Sequence, residues 1–153
     1  TASPRFPQFT SIALVLQNQL KDVGITVTLD QVEWGTFVQK WIDRDYDTFV
    51  SFNGSGNDPD RALYPMLYTD GSVNAFQFSD AEIDAMLDEA RTTVDRDARV
   101  ATYHELNRKI AELAPLLFLS TRTEYVAARD EVQGFELSPV DTYRSLKDVW
   151  IAQ

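Results

Sequence analysis

The segment from Thr48 to Asp60 has the residue types and spacing of a ligand-binding loop. An apolar run, Phe49 to Phe52, predicts a buried strand, and two glycines with amide and hydroxyl side chains follow it. The Asp58-Pro59 pair then predicts the start of a helix, with Asp58 as its cap. Loops of this kind hold small ligands against free backbone amides. The residues predicted to contact a ligand are Phe52, Asn53, Gly54, Ser55 and Asn57.

The loop contains groups that bind rather than react. The expected roles are apolar contact for Phe52, close backbone approach for Gly54, and neutral hydrogen bonds for Asn53, Ser55 and Asn57. Burial in the core explains Phe52 equally well, because it ends an apolar run. Asn57, Asp58 and Asp60 do not have the spacing of a calcium loop, so no metal site is predicted.

Residues for catalysis are sparse. His104 is the single histidine and there is no cysteine, so few residues are available to form a Ser-His-Asp or Cys-His catalytic set. Acidic residues are plentiful, but no spacing singles out a pair for glycoside cleavage. An aromatic set at helical spacing, Trp34, Phe37 and Trp41, fits core packing better than a sugar platform. The sequence therefore predicts a binding site with no catalytic residue and no cofactor.

The composition is that of one globular domain with an acidic surface. The chain has 153 residues, of which 44% are hydrophobic and 12% aromatic, enough for a sizeable core. The net charge of -10 and the scattered basic residues make nucleic acid and anionic membranes poor partners. The first residues, from Thr1 to Arg5, lack the plan of a signal peptide and do not begin with methionine. We expect a piece of a longer precursor.

The hydrophobic periodicity predicts an α/β fold with a mixed sheet flanked by helices. The predicted helices are the stripe Ile12–Val23 closed by Gly24, Trp34–Trp41, Ala62–Tyr68, one starting with a capping box from Ser79 to Glu82, and one from the cap Asp95 to Leu113. The inner face of that last helix is expected to carry Val100, Tyr103, Leu106, Ile110 and Leu113. The predicted strands are Ile25–Leu29, Thr48–Phe52, a buried Leu116–Leu119, and Glu124–Ala128.

In this order the segments resemble the extracellular solute-binding proteins of peptide-type ABC importers, called family 5. Gln17 to Ile25 resembles the family's Q-x-x-L-x-x-x-G-I element, and the Asn57-Asp58-Pro59 turn resembles its D-P turn after a buried strand. The later elements that match are Ser79–Glu82, Asp95–Arg99, Ala114–Leu117, Gly134-Phe135 and Leu146–Trp150. The resemblance extends over nearly the whole chain.

The resemblance implies a non-enzymatic part of a two-lobe protein with the type II periplasmic-binding-protein fold. Residues 1–131 would form the C-terminal α/β lobe, and residues 132–153 would be the tail that returns to an N-terminal lobe absent here. Such a protein captures a small solute between its lobes and delivers it to ABC permease subunits. It would lie outside the cytoplasm, in the periplasm or at the cell surface, free or lipid-anchored through its N-terminal part.

One departure from the family changes the expected ligand. Peptide-binding members carry an aspartate four residues before the proline, where it pairs with the ligand's α-ammonium group. Here that residue is Ser55, and Phe52 stands where many members have tryptophan. Because a hydroxyl cannot supply a charge-assisted bond, neutral ligands such as sugars, or blocked or cyclic peptides, are favoured over free-amine peptides. The alternatives left open are a small carboxylate-dependent hydrolase and a stand-alone protein-interaction domain.

Overall fold

The computed structural model describes residues 1–52, 58–121, 123, 125–138 and 144–152. Its helices are α1 (Pro7–Asp22), α2 (Trp34–Asp43), α3 (Pro59–Leu67), α4 (Ala81–Thr92) and α5 (Arg96–Leu113). Two short strands, β1 (Val132–Gln133) and β2 (Trp150–Ile151), form an antiparallel pair, and a 3-10 helix, Arg144–Asp148, precedes β2. The described part of the chain is therefore mainly helical.

The ends of three helices confirm the boundaries that the sequence predicts. Gly24 has φ +84° after α1, and its N–H donates to the Lys21 carbonyl at 3.0 Å. Asp95 caps α5, since its Oδ1 accepts from the Ala98 N–H at 2.8 Å. Helix α3 begins at Pro59, as the Asp58-Pro59 pair predicts, and not at Ala62.

The cap of α4 differs from the predicted capping box. Asp80, not Ser79, is the N-cap, and its Oδ1 accepts from the N–H groups of Glu82 at 2.9 Å and Ile83 at 3.0 Å. The Ser79 hydroxyl lies 3.0 Å from that of Thr69, while the Glu82 carboxylate pairs with Lys109 at 2.6 Å. Both predicted partners of the box are thus engaged with other elements.

The main core lies where α3 packs on α4 and α4 packs on α5. Its buried members are Met66, Leu67, Ile83, Leu87, Ala90, Tyr103, Leu106 and Ile110. Five residues were predicted on the buried inner face of α5. For Val100 and Leu113 this prediction is wrong, because they are 45% and 49% exposed. They stand at the two ends of the stripe, whereas Tyr103, Leu106 and Ile110 are buried and confirm the prediction.

The N-terminal residues lie between the two segments predicted as strands one and two. Ala2 forms a parallel bridge with Gln31, and Thr1 exchanges backbone hydrogen bonds with Thr48 and Val50. Regular strands at Ile25–Leu29 and Thr48–Phe52 are not formed. Ala2 bonds to Asp30 and Val32, which follow the first segment, and only Thr1 bonds to the backbone of the second among the described residues.

The two later predicted strands are also absent from the described residues. In the third, Leu117 and Phe118 are 73% and 67% exposed, so the prediction of a buried strand at Leu116–Leu119 is wrong. Apolar runs predict burial only where a second layer covers them, and the described residues provide no strand neighbour at this segment. In the fourth, Tyr125 is 89% exposed, and Glu124 lies outside the described residues.

In the C-terminal tail, β1 pairs with β2 in antiparallel orientation. Val132 lies opposite Ile151, and Gln133 lies opposite Trp150. Gly134 follows β1 with φ +78°, and a β-carbon there would collide with the Asp148 carbonyl. The tight turn therefore requires glycine at this position, which the sequence comparison with family 5 also picked out.

Candidate ligand-binding site

The predicted site is defined here by its two flanks. Phe52 is described, whereas the predicted contact residues Asn53, Gly54, Ser55 and Asn57 lie outside the described residues. Asp58, which follows them, is described again. The structure therefore describes the residues on the two sides of the segment 53–57.

At the first flank, the Phe52 ring packs on the start of α1. Its centroid lies 5.4 Å from that of Phe6, edge to face, and 5.9 Å from that of Phe9 in a stacked arrangement. Phe9 is buried, while Phe52 remains 62% exposed. Such a ring is fixed in place through one side and presents apolar surface through the other, a geometry suited to apolar ligand contact.

The aromatic packing continues from Phe6 into α2. Trp34 lies edge to face on Phe6 at 5.3 Å and is stacked on Phe37 at 5.3 Å, with an angle of 10° between the Trp34 and Phe37 planes. Phe37 is 4% exposed and contacts Phe49, which lies in the segment leading to Phe52. The prediction that Trp34 and Phe37 serve packing is confirmed for this pair, and their packing fixes the approach to the loop.

At the second flank, Asp58 caps α3. Its Oδ1 accepts from the Asp60 N–H at 2.9 Å and from Arg99 Nη2 at 2.7 Å. The Arg99 guanidinium, helped by the Asp60 N–H, holds the pKa of the Asp58 carboxyl below its ordinary value. The predicted capping role of Asp58 is confirmed, and the carboxylate is committed to this role.

Arg99 connects this flank to α4 and α5. Besides the Asp58 bond, its Nε donates to the Ala90 carbonyl at 3.0 Å and its Nη2 to the Tyr103 hydroxyl at 3.4 Å. The guanidinium carbon lies 5.1 Å from the Tyr103 ring centroid. One side chain thus satisfies the start of α3 and a carbonyl in the last turn of α4.

A second set of contacts fixes α3 against α4. Arg91 Nε lies 2.9 Å from Asp60 Oδ1, and its guanidinium carbon lies 3.6 Å from the Tyr64 ring centroid. Tyr64 stacks on Tyr68 at 4.4 Å, and both hydroxyls donate to the Asp88 carboxylate at 3.3 and 3.4 Å. The Tyr64 hydroxyl, together with the charge of Asp88, raises the pKa of Tyr68 to about 12. The helix after the loop is therefore held along its length.

Sequence reasoning missed the roles of Arg99 and Asn74. Asn74 is buried, and its Nδ2 donates to the carbonyls of Tyr68, Thr69 and Phe78, which shapes the turn after α3. A buried asparagine in a loop is a signal for such backbone bonding. For Arg99, its position one turn before Tyr103 on the inner face of α5 was an available signal, because a charge there needs a partner.

Two grooves lie among the described residues, and neither is lined by Phe52 or Asp58. One of about 350 Å³ lies between α1 and the segment at Leu119-Ser120, and one of about 200 Å³ lies in the tail around Glu136 and Arg144. Within the described ranges, no group of three or more histidine, cysteine, aspartate or glutamate side chains is placed to hold a metal ion. None of the helices described is both long and apolar enough to cross a membrane.

The family model that matches this chain describes solute-binding proteins, and the matching curated proteins are peptide-binding proteins. Residues 1–74 match the family described as bacterial extracellular solute-binding proteins, family 5 Middle. Di/tripeptide-binding protein 2 of Pseudomonas aeruginosa is 31% identical over 84% of this chain and 25% of its own length. The chain spans about a quarter of the length of the curated relatives it matches.

Solved structures extend the likeness beyond the matched family model. The oligopeptide-binding protein AppA of Bacillus subtilis, solved with a nonapeptide, has a TM-score of 0.83 at 26% identity over 99% of this chain and 31% of its own. The protein AgaA of A. tumefaciens R10, solved with agropinic acid, has a TM-score of 0.69 at 30% identity over 92% of this chain and 30% of its own.

These comparisons confirm the resemblance and the fold class. The chain has the fold of a segment of a type II periplasmic binding protein, which accounts for a helix-rich structure with a small sheet. Its relatives are substrate-binding proteins and not enzymes, so the prediction of a non-enzymatic protein is confirmed and the hydrolase alternative falls. The chain is thus similar, over nearly its whole length, to the extracellular solute-binding proteins of family 5.

Proposed function

We propose that this chain is part of the substrate-binding component of an ABC importer. The whole protein would capture a small peptide-like solute between two lobes outside the cytoplasm and deliver it to permease subunits in the membrane. What supports the proposal most is the overlay of 99% of this chain on a protein solved with a nonapeptide bound. Lipid anchoring of the whole protein belongs to the same proposal.

We assign residues 1–131 to the C-terminal lobe and residues 132–153 to a tail that returns to the N-terminal lobe. Two observations support this division. The main core and the aromatic packing around α1 and α2 lie within the first range, whereas among the described residues β1 and β2 pair only with each other. The exposed apolar side chains at Leu117, Phe118 and Trp150 supply surface for a second lobe to cover.

The proposed ligand site is the loop that Phe52 and Asp58 hold at its two ends. Phe52 would supply apolar contact through its exposed side, and Asn53, Gly54, Ser55 and Asn57 would supply close backbone approach and neutral hydrogen bonds. Asp58 is not assigned the ligand's α-ammonium group, because its Oδ1 already caps α3 and pairs with Arg99. The site therefore favours peptide-like ligands without a free α-amine at Ser55, or neutral ligands such as sugars.

The test is a change of charge at Ser55 in the two-lobe protein. Ser55→Asp should shift preference toward free-amine peptides, because a partly desolvated ion pair with hydrogen bonds contributes about 1.5–3 kcal/mol. That is roughly tenfold or more in affinity. The measurement is calorimetry with di- to nonalanine, each with a free and an acetylated N-terminus.

Two controls separate the position of the charge from its presence. Ser55→Asn changes the size of the side chain without adding charge, and Ser51→Asp adds the same charge one residue before Phe52, at an exposed position. Neither should change the ratio of the two affinities. If the wild-type protein already prefers free amines strongly, the role assigned to Ser55 is wrong. If it binds no peptide or sugar, the proposed function is wrong.

A further inference from the structure

The first two residues of the chain have the backbone bonds of a β-strand. The Ala2 N–H donates to the Asp30 carbonyl at 2.9 Å, and the Ala2 carbonyl accepts from the Val32 N–H at 3.1 Å. These two bonds place Ala2 opposite Gln31 in a parallel bridge. Residues 30–32 therefore lie along one side of this short strand.

Thr1 makes the equivalent bonds on the other side. Its amino group donates to the Thr48 carbonyl at 2.7 Å, and its carbonyl accepts from the Val50 N–H at 3.2 Å. This is again the pattern of a parallel pair, with Thr1 opposite Phe49. Because neighbouring residues of a strand bond to opposite sides, residues 1–2 have the position of a strand between two others.

The two neighbouring segments continue past the point where this pairing stops. If the register is continued in the direction from Ala2 to Thr1 and onward, the next donors are the N–H groups of Asp30, Thr28 and Thr48. The next acceptors are the carbonyls of Thr28, Thr26 and Tyr46. Throughout the described ranges, none of these backbone groups has a hydrogen-bond partner within the protein. A row of unpaired backbone groups of this kind is a template for an added strand.

The first of these segments already has the alternation of a strand. Val27 and Leu29 are half-buried, whereas Thr26 and Thr28 are exposed. The Val27 carbonyl accepts from Gln17 Nε2 of α1 at 2.6 Å, on the side away from residues 1–2. One side of the segment is therefore bonded to α1, and the side that faces the continued register is free.

We infer that residues 25–29 and 46–48 form a slot for a parallel β-strand, occupied in the whole protein by about five residues directly before Thr1. The inference rests on the proposed function in one respect, namely that this chain is part of a longer protein. The relatives agree with that, since the chain spans about a quarter of their length. The slot recognises its occupant through main-chain hydrogen bonds, the mode in which an extended segment is added to a sheet.

The residues before Thr1 fit the slot better than a separate molecule does. They are covalently continuous with Thr1 and Ala2, which already fix the register, so their effective concentration at the slot is high. A second copy of the chain would lose translational and rotational freedom to make the same bonds. This occupant also explains why residues 25–29 have the periodicity of a strand and yet no regular strand partner among the described residues.

The first experiment is residue-resolved hydrogen exchange in the two-lobe protein. The amides of Thr28 and Asp30 should exchange more slowly than those of Val27 and Leu29, by on the order of 100-fold, because only the first two donate into the slot. Val27 and Leu29 lie in the same segment and are the matched controls. Equal exchange at the four amides would overturn the inference.

The second experiment identifies the occupant by cross-linking, which is simplified because these 153 residues contain no cysteine. The continued register places the residue directly before Thr1 opposite Leu29, so a cysteine there and Leu29→Cys should form a disulfide within one molecule. The control is Thr28→Cys, whose side chain lies on the other face of the segment and should form none. Disulfides between two molecules, or equal cross-linking of the two variants, would contradict the assigned occupant.

Failure of the slot is distinguishable from failure of the proposed function. Alternating protection and the internal disulfide in a protein that binds no peptide or sugar would leave the slot in place and refute the proposed function. Solute binding without the alternation would refute the slot and leave the proposed function in place.

Discussion

The N-cap of α4 is where the capping-box prediction and the structure differ, and substitution of the two candidate residues tests which of them caps the helix. Asp80 accepts two hydrogen bonds from the first turn of the helix, at 2.9 and 3.0 Å. Ser79, which the capping-box pattern favours, bonds instead to the Thr69 hydroxyl. We expect Asp80→Ala to destabilise the protein clearly and Ser79→Ala to change its stability little.

The magnitude follows from the two contributions that Asp80 makes. Loss of an N-cap side chain costs about 1 kcal/mol, within a range of about 0.5–2. Loss of a negative charge at a helix N-terminus adds about 0.3–1 kcal/mol. We therefore expect a decrease of about 1–2 kcal/mol in the free energy of unfolding for Asp80→Ala. Asp80→Asn keeps the acceptor and should lose only the smaller charge contribution, and Ser79→Ala should stay within about 0.5 kcal/mol.

The assay is urea unfolding followed by circular dichroism, with thermal unfolding as a second measure. For a chain of 153 residues, each kcal/mol corresponds to a shift in Tm of about 2–4 °C. The m-value should stay constant across the variants, so that the midpoints report stability alone. A loss in Ser79→Ala equal to that in Asp80→Ala would restore the capping box and refute the assignment of Asp80.

Two further predictions concern the flanks of the loop. Because its pKa is lowered on folding, Asp58 contributes stability above its unfolded pKa, about 3.9, and this is lost as the pH falls through its folded pKa. Urea unfolding of Asp58→Asn should therefore show a deficit at neutral pH that disappears in strong acid, and a deficit that grows on acidification would contradict this. Phe52→Ala should weaken ligand binding by the two-lobe protein about tenfold with little change in Tm, because the ring is 62% exposed. Unchanged affinity would remove Phe52 from the site.

The helices were predictable from the sequence because their spacing of apolar residues and their capping residues are local features. The stripes of α1, α2 and α5 have helical spacing, and Gly24 and Asp95 act at the termini where local bonding predicts them. The cap of α4 was predicted one residue early because Ser79 and Asp80 are both good caps. A contact from outside the helix, the hydroxyl of Thr69, engages Ser79 and leaves the cap to Asp80.

The strands were harder to predict from the sequence, because a strand forms only with a neighbouring strand and the local pattern does not show that neighbour. Thr48–Phe52 has a strand-like composition, yet its described backbone bonds are those of Thr48 and Val50 with Thr1. Leu116–Leu119 has an apolar run of the right length, but Leu117 and Phe118 remain largely exposed. Composition predicts which segments are able to pair, whereas pairing itself is a property of the whole assembly.

The ligand contacts at the loop stay a prediction, since only its two flanks are described. Phe52 and Asp58 stand out locally, one at the end of an apolar run and one before a proline, and the predicted cap at Asp58 is confirmed. Arg99 was missed because its partner lies 41 residues away, a distance over which no local pattern in a single sequence extends. The groups that shape a site from behind are therefore the ones that sequence reasoning finds least easily.

The two flanks also belong to different packing groups, which bears on how a ligand would be sensed. Phe52 packs on Phe6 and Phe9, beside α1 and α2, whereas Asp58 is tied through Arg99 to α4 and α5. A hydrogen bond from the Tyr46 hydroxyl to the Ala75 carbonyl, at 2.7 Å, links the two groups elsewhere. If a ligand binds at the proposed site between these flanks, it would favour one relative placement of the two groups. It would then stabilise that placement by the difference between its affinities for the alternative placements.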